Sequence, residues 1–171
     1  MIKLILIAGP SGVGKDTLLK QIKNRIKAHF VTRHITRPPD DSEQNYFVLP
    51  KEFLKLKDQG FFVATWNAHS FDYGIAKNDL QDGANIISVS RSAIEDFENM
   101  FDDVTTINIT APKEVCLRRL HQRNRENENE IKERLAGSSK PIHAKNVIQF
   151  SNDLPLEFST LKFLKLIKGL L

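Results

Sequence analysis

Residues 9–15 read Gly-Pro-Ser-Gly-Val-Gly-Lys, which is the residue pattern and spacing of a phosphate-binding loop. An apolar stretch at residues 4–8 precedes the loop and predicts a buried parallel strand, and apolar residues recur at helical spacing over residues 18–26. A strand-to-helix turn directs backbone N–H groups and the positive end of the helix dipole at an anion, and Lys15 would reach the outer phosphates. A glycine-rich turn that binds nothing is the alternative. The predicted ATP site comprises the loop and the two residues after it: Gly9, Pro10, Ser11, Gly12, Val13, Gly14, Lys15, Asp16 and Thr17.

The loop departs from the usual pattern after its lysine, where a Ser or Thr hydroxyl would face Mg²⁺. Asp16 occupies that position, and Thr17 follows it. Mg²⁺ takes oxygen ligands and keeps several waters when it binds together with phosphates. We therefore expect Mg²⁺ as the cofactor, with ATP as co-substrate. The sequence leaves open whether Asp16 binds the metal, directly or through water, or whether Thr17 supplies the ligand.

Size and composition predict one globular domain, because the 171 residues are long enough to close a core and 40% of them are hydrophobic. The N-terminal apolar run is too short to span a membrane and leads straight into the loop, so we expect a core strand and a cytoplasmic protein. The net charge of +4 suits an enzyme that handles several phosphates, and no basic stripe interleaved with aromatic residues indicates nucleic acid. Small molecules are the expected partners, without nucleic acid or membrane. A homodimer is left open.

Strand and helix patterns alternate along most of the chain, which predicts an α/β fold with a parallel sheet covered by helices on both faces. The predicted core strands lie near Leu4, near Val31, at residues 85–89, at residues 105–109 and near Val147. The predicted helices lie at residues 16–28, 92–100, 113–123, 131–139 and from about Leu156.

The middle of the chain has a different pattern, with short strands predicted at residues 46–49, at residues 61–66 and around Tyr73, and a helix at residues 51–59. Because no long helical crossover separates the last two strands, we predict a small inserted αβ lobe. The single domain, residues 1–171, then divides into a core at residues 1–34 and 84–171, a lobe at about 35–83 and a lid at about 123–135.

The lid is predicted from a cluster of arginines in a segment rich in Asn and Glu: Arg118, Arg119, Arg123, Arg125 and Arg134. Phosphoryl transfer needs charge stabilisation and exclusion of water, and arginines on a closing lid supply both. Arg123 and Arg134 are the predicted catalytic members. The alternative is that these arginines form ion pairs with glutamates at helical spacing, which is the reading favoured for Arg118.

Further motifs give nearly the whole chain a resemblance to the guanylate kinases. The matching residues are the phosphate loop, Thr36-Arg37-Pro38-Pro39, Tyr46-Phe47-Val48, Tyr73-Gly74, Arg119-Leu120 to Arg123, and Arg134-Leu135. The resemblance implies that the inserted lobe binds the acceptor, whose phosphate is held by Arg37, Tyr46 and Tyr73. It also implies that Arg123 and Arg134 are the lid arginines.

The resemblance fails where guanine would be recognised. The two acids that accept hydrogen bonds from guanine in those kinases correspond here to Ala64 and Ser90, and Asp40 replaces a second acceptor-phosphate arginine. An unpaired polar group in a dry pocket costs about 1 to 3 kcal/mol, so the loss of both acids argues against guanine as the substrate.

The ribose 1,5-bisphosphate phosphokinases, which are associated with phosphonate breakdown, share these departures and resemble the chain more closely. The shared elements are Gly-Lys-Asp at the end of the loop, Trp66 with Ala68-His69, Ser90-Arg91, and the pattern from Arg125 to Leu135. The resemblance implies that ATP and ribose 1,5-bisphosphate give ADP and 5-phosphoribosyl 1-diphosphate. The 1-phosphate is then the attacking group, and it is already ionised near neutral pH, so no general base is required.

Two residues are predicted to contact the sugar bisphosphate. Arg91 would bind the second phosphate, or else it starts the next helix and pairs with Glu95. His69 would bind a ribose hydroxyl or phosphate, or else a loop carbonyl. The predicted catalytic residues are Lys15, Arg37, Arg123 and Arg134, and the predicted substrate-binding residues are Arg37, Tyr46, His69, Tyr73 and Arg91.

Two other functions fit the pattern less well. A nucleoside monophosphate kinase with altered base preference would keep the same fold and lid. A non-catalytic module that binds phosphorylated proteins would generally lack a working phosphate loop, which this sequence retains.

Overall fold

The computed structural model describes residues 1–40, 44–123, 127–136 and 141–171. In chain order the described helices and strands are β1 (Ile2–Ala8), α1 (Lys15–Ile22), β2 (His29–Phe30), β3 (His34–Ile35), β4 (Tyr46–Phe47), α2 (Pro50–Asp58), β5 (Phe62–Ala68), β6 (Phe71–Ala76), β7 (Gly83–Ser88), α3 (Ile94–Met100), β8 (Val104–Thr110), α4 (Lys113–Arg123), α5 (Glu128–Ala136), β9 (Val147–Ser151) and α6 (Leu156–Leu170). Short 3-10 turns at Lys77–Asp79 and Arg91–Ala93 precede β7 and α3.

The larger sheet is parallel and has the strand order β2-β7-β1-β8-β9. Its central strand, β1, is fully buried over residues 4–8, because both faces of the sheet are covered. Leu4 and Leu6 face an apolar cluster with α3, whereas Ile5 and Ile7 face a second cluster with α1, α4 and α6. This arrangement confirms the predicted α/β fold with helices on both faces of a parallel sheet.

The smaller sheet has the order β4-β3-β6-β5, with β3–β4 parallel and the other two pairs antiparallel. Helix α2 packs on it through Phe53, whose ring stacks on Phe62 at 4.7 Å between centroids. A Cβ at Gly74 would lie 2.7 Å from the Phe62 ring, so the glycine after Tyr73 lets β5 and β6 approach each other. β3 was not predicted, because two residues are too few to show a strand pattern.

Several element ends differ from the prediction. Helix α1 ends at Ile22, where the Arg25 N–H bonds to the Ile22 carbonyl at 2.9 Å, yet Ile26 still packs on the same apolar cluster and so extends the helical pattern beyond the helix. Helix α5 starts earlier than predicted, because Asn127 and Glu130 form a reciprocal capping box with bonds of 2.8 and 3.0 Å. The last residues of the helix predicted at 131–139 lie outside the described residues.

None of the described helices combines sufficient length with sufficient apolar character to cross a membrane.

Candidate active site

A cleft of about 750 Å³ lies beside the phosphate loop and the segment that follows β7, at the carboxyl ends of two neighbouring strands of the larger sheet. This is the edge at which open α/β sheets bind ligands. The cleft brings together residues predicted for the phosphate loop, the inserted lobe and the lid. The predicted site residues along it are Gly9, Ser11, Gly12, Gly14, Lys15, Asp16, Thr17, Arg37, His69, Tyr73, Arg123 and Arg134.

Four predicted residues lie outside the described lining of the cleft: Pro10, Val13, Tyr46 and Arg91. Val13, within the loop, is fully buried. Tyr46 is 51% exposed on β4, where its ring packs 4.8 Å from that of His34. Arg91 begins the 3-10 turn before α3, and burial lowers its pKa.

The phosphate loop is held from behind by two side chains. Arg119 donates through Nη1 to the Val13 carbonyl at 3.0 Å and through Nη2 to the Asn152 carbonyl at 3.1 Å. Asn152, which is 3% exposed, donates to the same Val13 carbonyl at 2.6 Å. A Cβ at Gly14, where φ is 89°, would lie 2.7 Å from Asn152 Nδ2, so a side chain there would displace this anchor.

Lys15 lies against the loop itself, where Nζ donates to the Gly9 carbonyl at 2.7 Å and to the Pro10 carbonyl at 3.2 Å. The pKa of Lys15 is lowered from 10.5 to about 8, chiefly by burial; Asp16 opposes this shift, and the positive charges of Arg33, Arg123 and Arg91 contribute to it. Cations are therefore gathered around the lysine. An anion bound there would raise this pKa, because it favours the charged form.

Arg33 is the main cleft residue that the sequence analysis missed. Nη1 donates to Ser88 Oγ at 3.3 Å, Nη2 lies 3.8 Å from Asp16 Oδ1, and the guanidinium carbon lies 5.7 Å from the centre of the Tyr73 ring. No motif of the sequence analysis includes Arg33. Its partners Ser88 and Asp16 lie far from it in the chain, so no local spacing pointed to it.

On the lobe side, Trp66 stacks on Tyr73 with ring centroids 5.6 Å apart and planes 7° from parallel. The hairpin between β5 and β6 turns at His69 and Ser70, which both have positive φ, 52° and 67°. His69 Nε2 lies 3.3 Å from Ser11 Oγ, so the tip of the lobe contacts the phosphate loop.

Arg37 also lines the cleft from the lobe side. Its Nε lies 4.0 Å from Asp40 Oδ2, so the residue that replaces a second arginine forms an ion pair with the first. The pair leaves less net positive charge here than two arginines would.

Arg123, at the end of α4, and Arg134, on α5, face the cleft together with Glu130 and Glu133. Arg118 is exposed and Arg119 anchors the loop, which separates both from the predicted catalytic pair. Arg125 and the rest of residues 124–126, in the predicted lid, lie outside the described residues.

The sequence of this chain is similar to a known family model and to several known proteins. A family model described as an AAA domain matches residues 5–137. The ribose 1,5-bisphosphate phosphokinase PhnN of Agrobacterium fabrum is 41% identical over 80% of this chain and 79% of that protein. The PhnN protein of Desulfomicrobium baculatum is 32% identical over 91% and 89%.

Two further matches bear on length and fold. The bifunctional ribose 1,5-bisphosphokinase-thymidine phosphorylase of Roseobacter denitrificans is 42% identical over 78% of this chain, but the chain spans only 21% of that protein. The crystal structure of guanylate kinase from Anaplasma phagocytophilum superposes with a TM-score of 0.68 and 20% identity, covering 98% of this chain and 85% of the other. This last likeness shows a guanylate-kinase-like fold.

Proposed function

The chain belongs to the ribose 1,5-bisphosphate phosphokinase family, and from that membership we propose that it phosphorylates ribose 1,5-bisphosphate with ATP. An oxygen of the 1-phosphate attacks the γ-phosphorus of ATP, the bond between the γ-phosphorus and the bridging oxygen breaks, and ADP leaves. The products are ADP and 5-phosphoribosyl 1-diphosphate. The acceptor oxygen is already ionised near neutral pH, so the protein need only position the groups and stabilise charge.

Within the structure, the observation that best supports this proposal is the distribution of cations along the cleft. Lys15, Arg123 and Arg134 approach it from the phosphate loop and the two lid helices, while Arg33 and Arg37 approach it from the acceptor side. A substrate with a phosphate at each end of a sugar suits such an arrangement better than a neutral base would.

Within the proposal, Lys15 and the N–H groups of the loop hold the outer phosphates of ATP, and Arg37 with Tyr73 holds the attacking phosphate. Arg123 and Arg134 stabilise the charge on the transferring group and help to exclude water. Ala64, which the guanylate-kinase resemblance aligns with a base-reading acid, is 4% exposed and presents no carboxylate.

The residues present fit a magnesium ion held mainly by nucleotide phosphates. Asp16 and Thr17 line the cleft beside Lys15, and the described residues contain no group of three or more His, Cys, Asp or Glu suited to hold a metal alone. We propose Asp16, or Thr17 next to it, as the protein ligand. Bound Mg²⁺ would neutralise charge on the β- and γ-phosphate oxygens.

The test is ADP release measured by a coupled assay with ribose 1,5-bisphosphate, GMP and the other nucleoside monophosphates as acceptors. We expect efficient turnover of the bisphosphate and little turnover of any nucleotide. Efficient use of GMP would instead make the protein a nucleoside monophosphate kinase. The cytoplasmic location, the absence of nucleic-acid and membrane partners, and a homodimer stay predictions.

A further inference from the structure

Arg33 lies where the phosphate loop, the acceptor lobe and the end of β7 meet. Its side chain is mostly buried, with 14% exposed, and it lines the cleft together with Ser88, Val89 and Ser90. We propose that Arg33 and the Ser88 hydroxyl form the binding site for the non-reacting phosphate of the acceptor, a phosphate monoester at the far end of the sugar. This inference rests on the proposed function, and it replaces the role that the sequence suggested for Arg91.

The spacing of the two lobe-side arginines fits a substrate with two phosphates. Arg33 and Arg37 flank β3, and four residues of chain span at most about 14 Å. Both side chains line the same cleft, so their guanidinium groups can hold the two ends of one pentose bisphosphate. The Tyr73 ring lies 5.7 Å from the Arg33 guanidinium carbon and is itself stacked on Trp66, which also lines the cleft.

The chemistry at Arg33 also favours a phosphate. A guanidinium presents a planar fork of N–H donors that matches phosphate oxygens two at a time, and a serine hydroxyl can donate a further bond. The described contacts to Ser88 at 3.3 Å and to Asp16 at 3.8 Å are long for a guanidinium, and a bound phosphate could form shorter bonds with it. Arg91, by contrast, lies outside the described lining of the cleft.

A second role for Arg33 must be separated from this one. Through Asp16 it could orient the phosphate loop or the metal ligand, and its loss would then weaken ATP use with every acceptor. A phosphate-binding role predicts a loss confined to acceptors that carry the second phosphate.

The experiment compares kcat/KM for ribose 1,5-bisphosphate and for ribose 1-phosphate in wild type, Arg33→Gln and the matched control Arg118→Gln, whose arginine is exposed and outside the described lining of the cleft. We expect Arg33→Gln to lower the value for the bisphosphate by about ten- to a hundredfold, because a charge-assisted contact is lost. Turnover of ribose 1-phosphate by Arg33→Gln should stay unchanged, and Arg118→Gln should preserve the ratio of the two acceptors. Equal losses on both acceptors, or no loss on the bisphosphate, would overturn the proposal.

Two further measurements keep the inference testable. If Arg33→Gln does not fold, Arg33→Lys is the alternative variant, because it keeps the charge but loses the forked guanidinium. It should show a smaller loss of activity that is again confined to the bisphosphate, and an equal change on both acceptors overturns the proposal.

Calorimetric binding of ribose 5-phosphate in the presence of ADP requires no turnover. Binding by wild type that the Arg33 variant weakens would support the site even if the bisphosphate proved not to be a substrate. Absent binding, or equal binding by both proteins, would overturn it.

Discussion

The two sides of the cleft are built differently. On the nucleotide side, the loop follows a strand that is fully buried over residues 4–8, and Arg119 and Asn152 hold it through one carbonyl. On the acceptor side, β3 and β4 have two residues each, and the hairpin tip turns through two residues with positive φ. The nucleotide machinery is thus fixed by the core, whereas the proposed acceptor side includes two very short strands and a strained hairpin tip, and it is the side we expect to move when substrates bind.

Lys15→Ala should produce the largest effect, because it removes the cation at the centre of the fixed side. We expect turnover to fall by at least about a thousandfold, as charge stabilisation carries phosphoryl transfer. The fold should remain intact, since Nζ contacts only loop carbonyls among its described hydrogen bonds. Turnover and circular dichroism, measured on the same sample, check both statements. A folded variant with near-normal turnover would refute the kinase proposal.

Arg37→Ala tests the acceptor side alone. It should lower kcat/KM for the acceptor by about ten- to a hundredfold, because a charge-assisted contact to the attacking phosphate is lost. ATP affinity, measured separately by calorimetry, should change little. Weakened ATP binding with unchanged acceptor saturation would show that Arg37 acts at the nucleotide site and not at the acceptor site.

Asn152→Ala tests whether the loop is anchored from behind. Loss of the 2.6 Å bond to the Val13 carbonyl should reduce the free energy of unfolding by about 1 to 3 kcal/mol, since Asn152 is buried. ATP should also bind more weakly. Asn67→Ala is the matched control, because Asn67 is exposed and its bond to Asp72 at 3.0 Å lies on the lobe, so both quantities should change little. Equal thermal unfolding midpoints for the two variants would contradict the anchoring role.

The pH dependence of ATP binding should report Lys15. Its pKa of about 8 means that the lysine of the free protein loses its proton above that pH, and ATP must then bind together with a proton. The Kd for ATP should therefore rise about tenfold between pH 7 and pH 9. Stability of the free protein should rise between pH 8 and 10.5, while ATP affinity falls, because the unfolded chain binds more protons over that range. Lys15→Ala is the control, and an equally steep profile in that variant would assign the effect to another group.

The smallest effect is expected at the hairpin tip. Ser70 and Gly60 are both exposed and have nearly the same φ, 67° and 68°. Ser70→Gly should therefore raise the free energy of unfolding by about 0.5 to 1 kcal/mol, and Gly60→Ser should lower it by a similar amount. Chemical denaturation of the two variants measures both changes. If Ser70→Gly destabilises the protein, the strain assigned to the turn is wrong.

The sequence predicted the nucleotide side in more detail than the acceptor side, for physical reasons. A phosphate loop needs particular residues at fixed spacing, so the pattern at residues 9–15 locates it, and the apolar strand before it predicts the parallel sheet. The acceptor side depends on long-range contacts such as those from Arg33 to Ser88 and Asp16, which no local pattern encodes. The end of α1 was missed for a related reason, since Ile26 continues the apolar pattern after the helix has stopped.

If Arg33 and Asp16 have the roles proposed above, their 3.8 Å approach would link the two substrates thermodynamically. If a sugar phosphate draws the guanidinium toward itself, the carboxylate beside the nucleotide loses a neighbouring positive charge and becomes more available to a cation. Such a link is reciprocal: by whatever factor the acceptor changes the affinity for the metal-nucleotide complex, that complex must change the affinity for the acceptor by the same factor. A single shared side chain would then make the two binding events cooperative, without a second conformation of the whole domain.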